Sequence, residues 1–308
     1  MAAVRSYFVG EGLCEVTTPV RLPAVALEPY IEPLPCGDGF LATSPELPMK
    51  QLLCRGSGPI FQIAPVFRRG EVGDRHREEF RLVEWYRLDP DPAAVRADVV
   101  GLVAAVTEAV ADLAEAPRDS VSWQTVTWLE VLAETTGLRL RGDETSDELR
   151  DAVRTSLPEL WHEAPEMPRL TSERSRTLLA WTSLFTGWSD AHLDPWLAQR
   201  HGVHLVDFPG PLAALSRCDG STSARFESHV AGLELANGYG ELTDAAEQAA
   251  RFEAVTDLRR AQGLPALPRP QSFLDDLEDP GLPPCSGAAL GLDRLVMWAT
   301  GAPRLDPL

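Results

Sequence analysis

No run of 18 apolar residues occurs in the 308-residue chain, so the sequence excludes a membrane-spanning helix. The start, MAAVRSYFVGEGLCEV, lacks the long apolar stretch of a secretory leader. Cysteine is scarce. The five residues Cys14, Cys36, Cys54, Cys218 and Cys285 are odd in number and never form a C-x-x-C pair. That pattern argues against a disulfide framework and a thiolate zinc site, and it points to a reducing cytoplasm. Neither G-x-G-x-x-G nor a Walker sequence occurs, so any nucleotide is held in another way. Basic residues are in deficit, 28 against 46 acidic, for a net charge of −18. Proteins that grip nucleic-acid backbones gain affinity from Lys and Arg that displace counterions. Here the global field repels such a ligand. A basic protein partner is compatible with this charge, and so is plain solubility.

What is present is 44% apolar content, enough for a substantial core. Residues 2–11 predict a short helix ending at Gly10 or Gly12. CEVTTPV (14–20) is β-branched and broken by Pro19. A helix is expected from near Ser44, with Pro48 in its first turn. Strands are expected at 59–68 and 80–88, and a long helix over 93–115. Residues 120–200 read as a mostly helical insertion. VHLVDFP (203–209) is a strand, and 224–242 a hairpin turning at Ala231-Gly232. Asp244 to Gln262 is a helix with a capping pattern, stopped by Gly263. Residues 287–301 read as a strand entering a helix through Gly291. Hairpins dominate, with helices grouped between them. The fold class is therefore α+β, with an antiparallel sheet flanked by helices.

Charge gathers around the hairpins. Phe80, Leu82, Glu84 and Tyr86 share one strand face, because side chains alternate. Arg68 ends the opposing strand. A ring that stacks on a base, an Arg fork for phosphate and acids for an amine or a metal suit ATP plus an amine. Only 3 of the 28 basic residues are in a position to serve one small polyphosphate. The alternative is a solvated surface hairpin. Glu227, Glu234 and Glu241 recur every seventh residue. Two of them facing each other would repel without a cation between, and Mg²⁺ accepts one or two carboxylates plus phosphates. The alternative is one exposed acidic edge. Gly238 and Gly240 predict a bulge around Tyr239. Arg294, in the first turn after Gly291, either aims into a cleft or pairs with Asp293 at the surface.

Taken in order, these segments resemble the motifs of class II aminoacyl-tRNA synthetases. Gly12–Val20 resembles motif 1, Phe67-Arg68 through Phe80 motif 2, and Gly291-Leu292-Asp293-Arg294 motif 3. TSPE…MK (43–50) and the stretches 56–87, 225–253 and 283–297 are similar to the lysyl branch, and within it to the elongation factor P–(R)-β-lysine ligases. The resemblance implies a class II synthetase-like catalytic domain over 1–308 that activates lysine or (R)-β-lysine with ATP and Mg²⁺. It implies transfer to elongation factor P and, because motif 1 lies at the dimer interface in that family, a homodimer. By position, Arg68 and Arg294 become the expected catalytic residues. Arg68, Glu71, Arg75, His76, Phe80 and Arg294 are expected around ATP, and Glu227 and Glu234 at both ATP and the metal. Ser44, Glu46, Tyr86, Asn237, Glu241 and Ala289 are expected around the amino acid, with Tyr86 and Glu241 holding the distal ammonium. Ala289 stands where lysyl-tRNA synthetases carry Gly, which favours a β-lysine-type substrate.

The chain starts at motif 1 and has no room for the anticodon-reading OB-fold of lysyl-tRNA synthetases, so tRNA is not the expected acceptor. It departs from the family pattern at Arg69-Gly70, at Arg77-Glu78 and at Leu47-Pro48. Two other readings remain: a related ligase with a carrier-protein or metabolite amine as acceptor, and a non-catalytic paralogue. His201 and His204 are assigned no metal. The Trp181, Trp188 and Trp196 cluster reads as core packing.

Overall fold

The computed structural model describes residues 1–114, 118–158, 160 and 170–305. It opens with α1 (Ala2–Gly10), β1 (Cys14–Glu15) and a small sheet of β2 (Arg21–Leu22), β3 (Pro35–Cys36) and β4 (Gly39–Leu41). Helix α2 (Glu46–Cys54), the hairpin β5 (Ile60–Phe67) and β6 (Glu79–Arg87), and α3 (Pro92–Ala109) follow. The middle of the chain forms β7 (Trp123–Thr127), α4 (Trp128–Thr136), α5 (Ser146–Ser156), α6 (Glu173–Trp188) and α7 (Asp194–Ala198). The last third comprises β8 (Gly202–Pro209), β9 (Cys218–Asp219), β10 (Thr222–Val230) and β11 (Leu233–Gly240), then α8 (Ala245–Ala261), α9 (Gln271–Asp276), β12 (Ser286–Gly291) and α10 (Leu292–Thr300).

Among the described residues the main sheet has nine strands, in the order β1-β5-β6-β12-β11-β10-β8-β7 with β9 beside β10. Pairing is antiparallel except at the two ends, where β1–β5 and β7–β8 are parallel. The α+β class is therefore as expected. Its register puts Phe61, Trp85, Ala288, Gly238 and Phe226 in one row across five strands. This row joins a core with α1, α3 and α10, and Phe8 lies 4.9 Å from Phe61 and 5.2 Å from Trp85. The neighbouring residues on each strand, one position away, must face the other side. That alternation separates core from cleft.

Local signals explain most boundaries. Asp91 caps α3 by accepting from the Ala93 N–H at 2.8 Å, with Pro92 in the first turn. Asp244 caps α8 through the Glu247 N–H. Ala231 and Gly232 both take positive φ, 49° and 76°, and close the β10–β11 hairpin at the expected place. Trp181 and Trp188 are fully buried against Trp128, as expected of a packing cluster.

Two expectations need correction and two stretches gain detail. The mostly helical stretch at 120–200 opens with a strand. β-Branched β7 first extends the main sheet beside β8, and the Thr127 capping box starts α4 only afterwards; residues 159 and 161–169 of this segment lie outside the described ones. Helix α3 ends at Ala109, followed by a 3₁₀ turn at Ala111–Leu113. Residues 115–117 of the longer expected helix lie outside the described ones. Only Cys14–Glu15 of the 14–20 stretch is strand. The hairpin bulge lies between Ser228 and His229, not around Tyr239. Gly238 is needed for another reason: a Cβ there would strike the Phe226 ring.

One buried carboxylate ties α1, β6 and α3 together. Asp98 is 2% exposed and accepts from Tyr7 Oη at 3.0 Å, Trp85 Nε1 at 2.9 Å, and Arg87 Nε and Nη2 at 2.7 and 2.6 Å. Removing it leaves the half-buried Arg87 guanidinium only its Glu11 partner and strands the Trp85 and Tyr7 donors in the packed face. Asp98→Ala is expected to cost about 3–5 kcal/mol in urea unfolding; a loss under about 1 kcal/mol contradicts this role.

Candidate active site

Two rows of side chains cross the opposite face of the sheet. In one, Gln62, Glu84, Ala289, Asn237 and Glu227 stand in register. In the other, Ile60, Tyr86, Gly287, Tyr239 and Arg225 do so. Over them lies a cleft. Phe80, Leu82, Glu84 and Tyr86 all line it, as strand parity requires. So do Ser44, Glu46, Arg68, Glu71, Arg75, His76, Glu234, Asn237, Glu241, Ala289 and Arg294. The cleft thus collects every expected site residue except one.

The exception is Glu227. It does not line the cleft. Across the ladder it faces Asn237, while Glu234 faces His229, so the expected confrontation of two carboxylates does not arise. Glu227 instead accepts from Arg225 Nη2 at 2.7 Å and lies 3.4 Å from His229 Nε2. Burial pushes its pKa up, but His229 and Arg225 outweigh that and leave it below the usual carboxylate range. Arg225 and Glu227 are two apart on one strand and share a face, so a pairing signal was present in the sequence.

The deep end of the cleft is acidic and nearly dry. Glu84 is 2% exposed; it accepts from Ser44 Oγ and from Tyr86 Oη, the latter at 2.6 Å. Tyr86, expected together with Glu241 at the distal ammonium, thus donates its hydroxyl to Glu84. Glu241 pairs with Lys50, whose Nζ lies 2.6 Å from Glu241 Oε2 and 2.6 Å from Glu46 Oε1. Both Glu241 oxygens are buried without a hydrogen bond among the described residues, Oε2 having the Lys50 ion pair, and Asn237 Oδ1 is likewise buried without a partner. Gly287 makes the room, because a Cβ there would strike the Tyr86 ring and approach Glu241 Oε1. Glu28 faces the same space, and burial followed by Glu46 raises its pKa. Neither Glu28 nor Glu84 was among the expected site residues. A carboxylate on a strand reads the same whether solvated or buried, so only the shared face hinted at Glu84.

At the mouth the chemistry is cationic. Arg68 Cζ sits 5.2 Å from the centre of the Phe80 ring, and its Nη1 lies 3.6 Å from Glu71. Arg294 donates to the backbone oxygens of Arg75 and Glu234, both at 3.2 Å. Its Nη1 is 3.6 Å from Glu234 Oε2. The 68–78 loop is pinned by the two departures from the family pattern: the Gly70 N–H donates to Glu78 Oε1 at 2.8 Å. Guanidinium groups beside an aromatic ring suit a nucleotide phosphate and base. Unsatisfied buried carboxylates suit an ammonium. One cleft therefore offers both ends of an amino-acid activation site.

The family of class II tRNA synthetases (D, K and N) matches residues 1–306, and the chain belongs to it. More particularly, the chain is 35% identical to the elongation factor P–(R)-β-lysine ligase of Salmonella gallinarum, over 99% of this chain and 90% of that protein. It is 36% identical, over the same shares, to the ligases of that name from Salmonella paratyphi B and Salmonella agona.

Burial, then the charge of Glu46, push Glu84 up to about 8. An acid raised this far is mostly protonated at neutral pH, and a seated ammonium ionises it. Seating a ligand ammonium at about pH 7, with lysine as the probe, is expected to release up to one proton, falling toward none well above pH 8. Calorimetry in buffers of different ionisation enthalpy reads this. A proton count that stays at zero across that range contradicts it.

Proposed function

We propose that residues 1–308 form one catalytic domain, with an insertion at 120–200, that activates lysine or (R)-β-lysine with ATP and transfers it to a lysine side chain of elongation factor P. The observation that carries this reading is the joining, in one cleft, of Arg68, Phe80 and Arg294 with the buried acids Glu46, Glu84 and Glu241. The Salmonella proteins of that name, matched over nearly the whole chain, supply the acceptor.

In the first step the substrate carboxylate forms a bond to the α-phosphorus, the α–β bridging P–O bond breaks, and pyrophosphate leaves. No protein nucleophile is required; positioning and charge neutralisation carry the step. Arg68 and Arg294 neutralise charge at phosphorus, with Arg75 and His76 near the terminal phosphates and Glu71 beside the base. Phe80 stacks on adenine. Asn237 meets the substrate carboxylate, and Glu46 with Ser44 the nearer amine. Glu84 and Glu241 hold the distal ammonium, and Ala289, between Asn237 and Glu84 in register, shapes the pocket wall. In the second step the acceptor ε-amine attacks the mixed anhydride, AMP leaves with the C–O electron pair, and the amine loses a proton.

Glu234 and Glu227 are the proposed holders of Mg²⁺. Two carboxylates fit a hard cation that also takes phosphate oxygens and water, although Glu227 must first part from Arg225. When bound, the ion would offset phosphate charge. No helix among the described residues is long and apolar enough to cross a membrane; we place the protein in the cytoplasm, as a homodimer through the 12–20 segment.

Incubation with ATP, (R)-β-lysine or lysine, and elongation factor P is expected to add one aminoacyl mass to the acceptor. Arg294→Ala is expected to lower that rate about a hundredfold or more. The altered loop at Arg77-Glu78, at the cleft mouth, favours one rival: a related ligase with a carrier-protein or metabolite amine acceptor. That rival expects lysine-dependent pyrophosphate exchange with unlabelled elongation factor P. Absence of exchange with every amino acid tried would contradict both.

A further inference from the structure

Lys50 belongs to the TSPE…MK stretch, yet the roles above leave it without a task. It is 1% exposed and lies on α2, one turn after Glu46. Its Nζ is 2.6 Å from an oxygen of Glu46 and 2.6 Å from an oxygen of Glu241, which follows β11 at the far side of the cleft floor. The two oxygens are thus no farther apart than twice that distance. The Tyr239 ring lies 5.9 Å from Nζ, so the ammonium is enclosed by two acids and an aromatic face.

Two carboxylates this close in a dry cavity repel strongly unless a cation stands between them. Burial alone would pull the Lys50 ammonium down, but Glu241 and Glu46 more than offset it and hold it protonated. Lysine at this depth is therefore no nucleophile and no proton donor. Its effect is electrostatic and geometric.

We propose that Lys50 is a positioning residue for amino-acid selection: its buried ammonium locks Glu46 and Glu241 at a fixed separation, with Glu241 Oε1 left bare for the substrate's distal ammonium. The proposal rests on the amino-acid-activating reading and adds a length gauge to it. Glu46 meets the nearer amine and Glu241 the farther one, so a single cation that tethers both sets the spacing at which two substrate ammoniums are accepted. With Lys50 neutral, one acid takes a proton or swings away, and a substrate ammonium drifts into the vacated place. Shorter diamino acids then fit as well as the intended one.

The test compares wild type with Lys50→Met in amino-acid-dependent ATP–pyrophosphate exchange, using lysine, (R)-β-lysine and ornithine, with thermal melts alongside. For the better lysine isomer, KM is expected to rise at least tenfold. The KM for ATP should stay within twofold, and the preference for lysine over ornithine should shrink at least fivefold. Lys50→Arg, which keeps the charge, should recover part of the lysine KM. If Lys50→Met fails to melt cooperatively, Lys50→Gln is judged by the same ratios. A lysine KM within twofold of wild type overturns the proposal. So does a variant in which lysine KM, ATP KM and ornithine preference all move together, as a purely structural role requires. Absence of exchange in wild type with every diamino acid instead counts against the activating function. In that case lysine binding by calorimetry, wild type against Lys50→Met, decides the role of Lys50, with equal affinities overturning it.

Discussion

Glu46, Glu84 and Glu241 converge on one water-poor cavity, with Glu28 beside them and one buried lysine among them. Like charges in such a place cannot all remain ionised without cations. The protein resolves this unevenly. Lys50 neutralises parts of Glu46 and Glu241, while burial and then the charge of Glu46 drive Glu84 toward its protonated form against the hydroxyl donors of Ser44 and Tyr86. A residual demand for positive charge is left in the cavity. A ligand bearing ammonium groups meets that demand, and an uncharged isostere leaves the acids unpaired. Affinity for a diamino substrate follows from that imbalance.

Rigidity makes the imbalance selective. The cleft floor consists of adjacent strands whose other face is packed against α1, α3 and α10. Glu84, Ala289 and Asn237 cannot drift relative to one another without breaking ladder hydrogen bonds and core contacts together. Asp98 anchors that packed face through Tyr7, Trp85 and Arg87. The nucleotide end is looser: the 68–78 loop is largely exposed, held at Gly70 by Glu78 and at Asp74 by the Leu305 N–H.

Much of this was legible in the sequence, and the gaps have physical causes. Alternation along 80–86 placed Phe80, Leu82, Glu84 and Tyr86 on one face because period two is a property of any strand. Gly291 before Arg294, and the Ala231-Gly232 turn, are local signals and were found locally. The Lys50–Glu241 pair joins residues far apart in the chain, so no spacing reveals it. The Tyr86–Glu84 bond went unread because two residues on one strand face can bond each other or a ligand, and only packing decides between these. Glu227 was credited with facing another acid on its seven-residue repeat. Register instead set it opposite Asn237 and beside Arg225. The strand β7 was hidden inside a helix-rich stretch, where one Trp and four β-branched or polar residues carry little pattern of their own.

The departures at Arg69-Gly70 and Arg77-Glu78 look disruptive one at a time but partly answer each other, since Glu78 receives the Gly70 N–H. They alter the rim of the cleft and leave its floor intact, so they bear on the acceptor before the amino acid. The central claim concerns the floor: an excess of buried acids over the one buried lysine selects a charged substrate tail. Pyrophosphate exchange with lysine against norleucine, which lacks only the terminal amine, addresses it most directly. A preference for lysine of about ten-thousandfold is expected of a site built to bond a polar group. Comparable rates with the two amino acids would contradict the account.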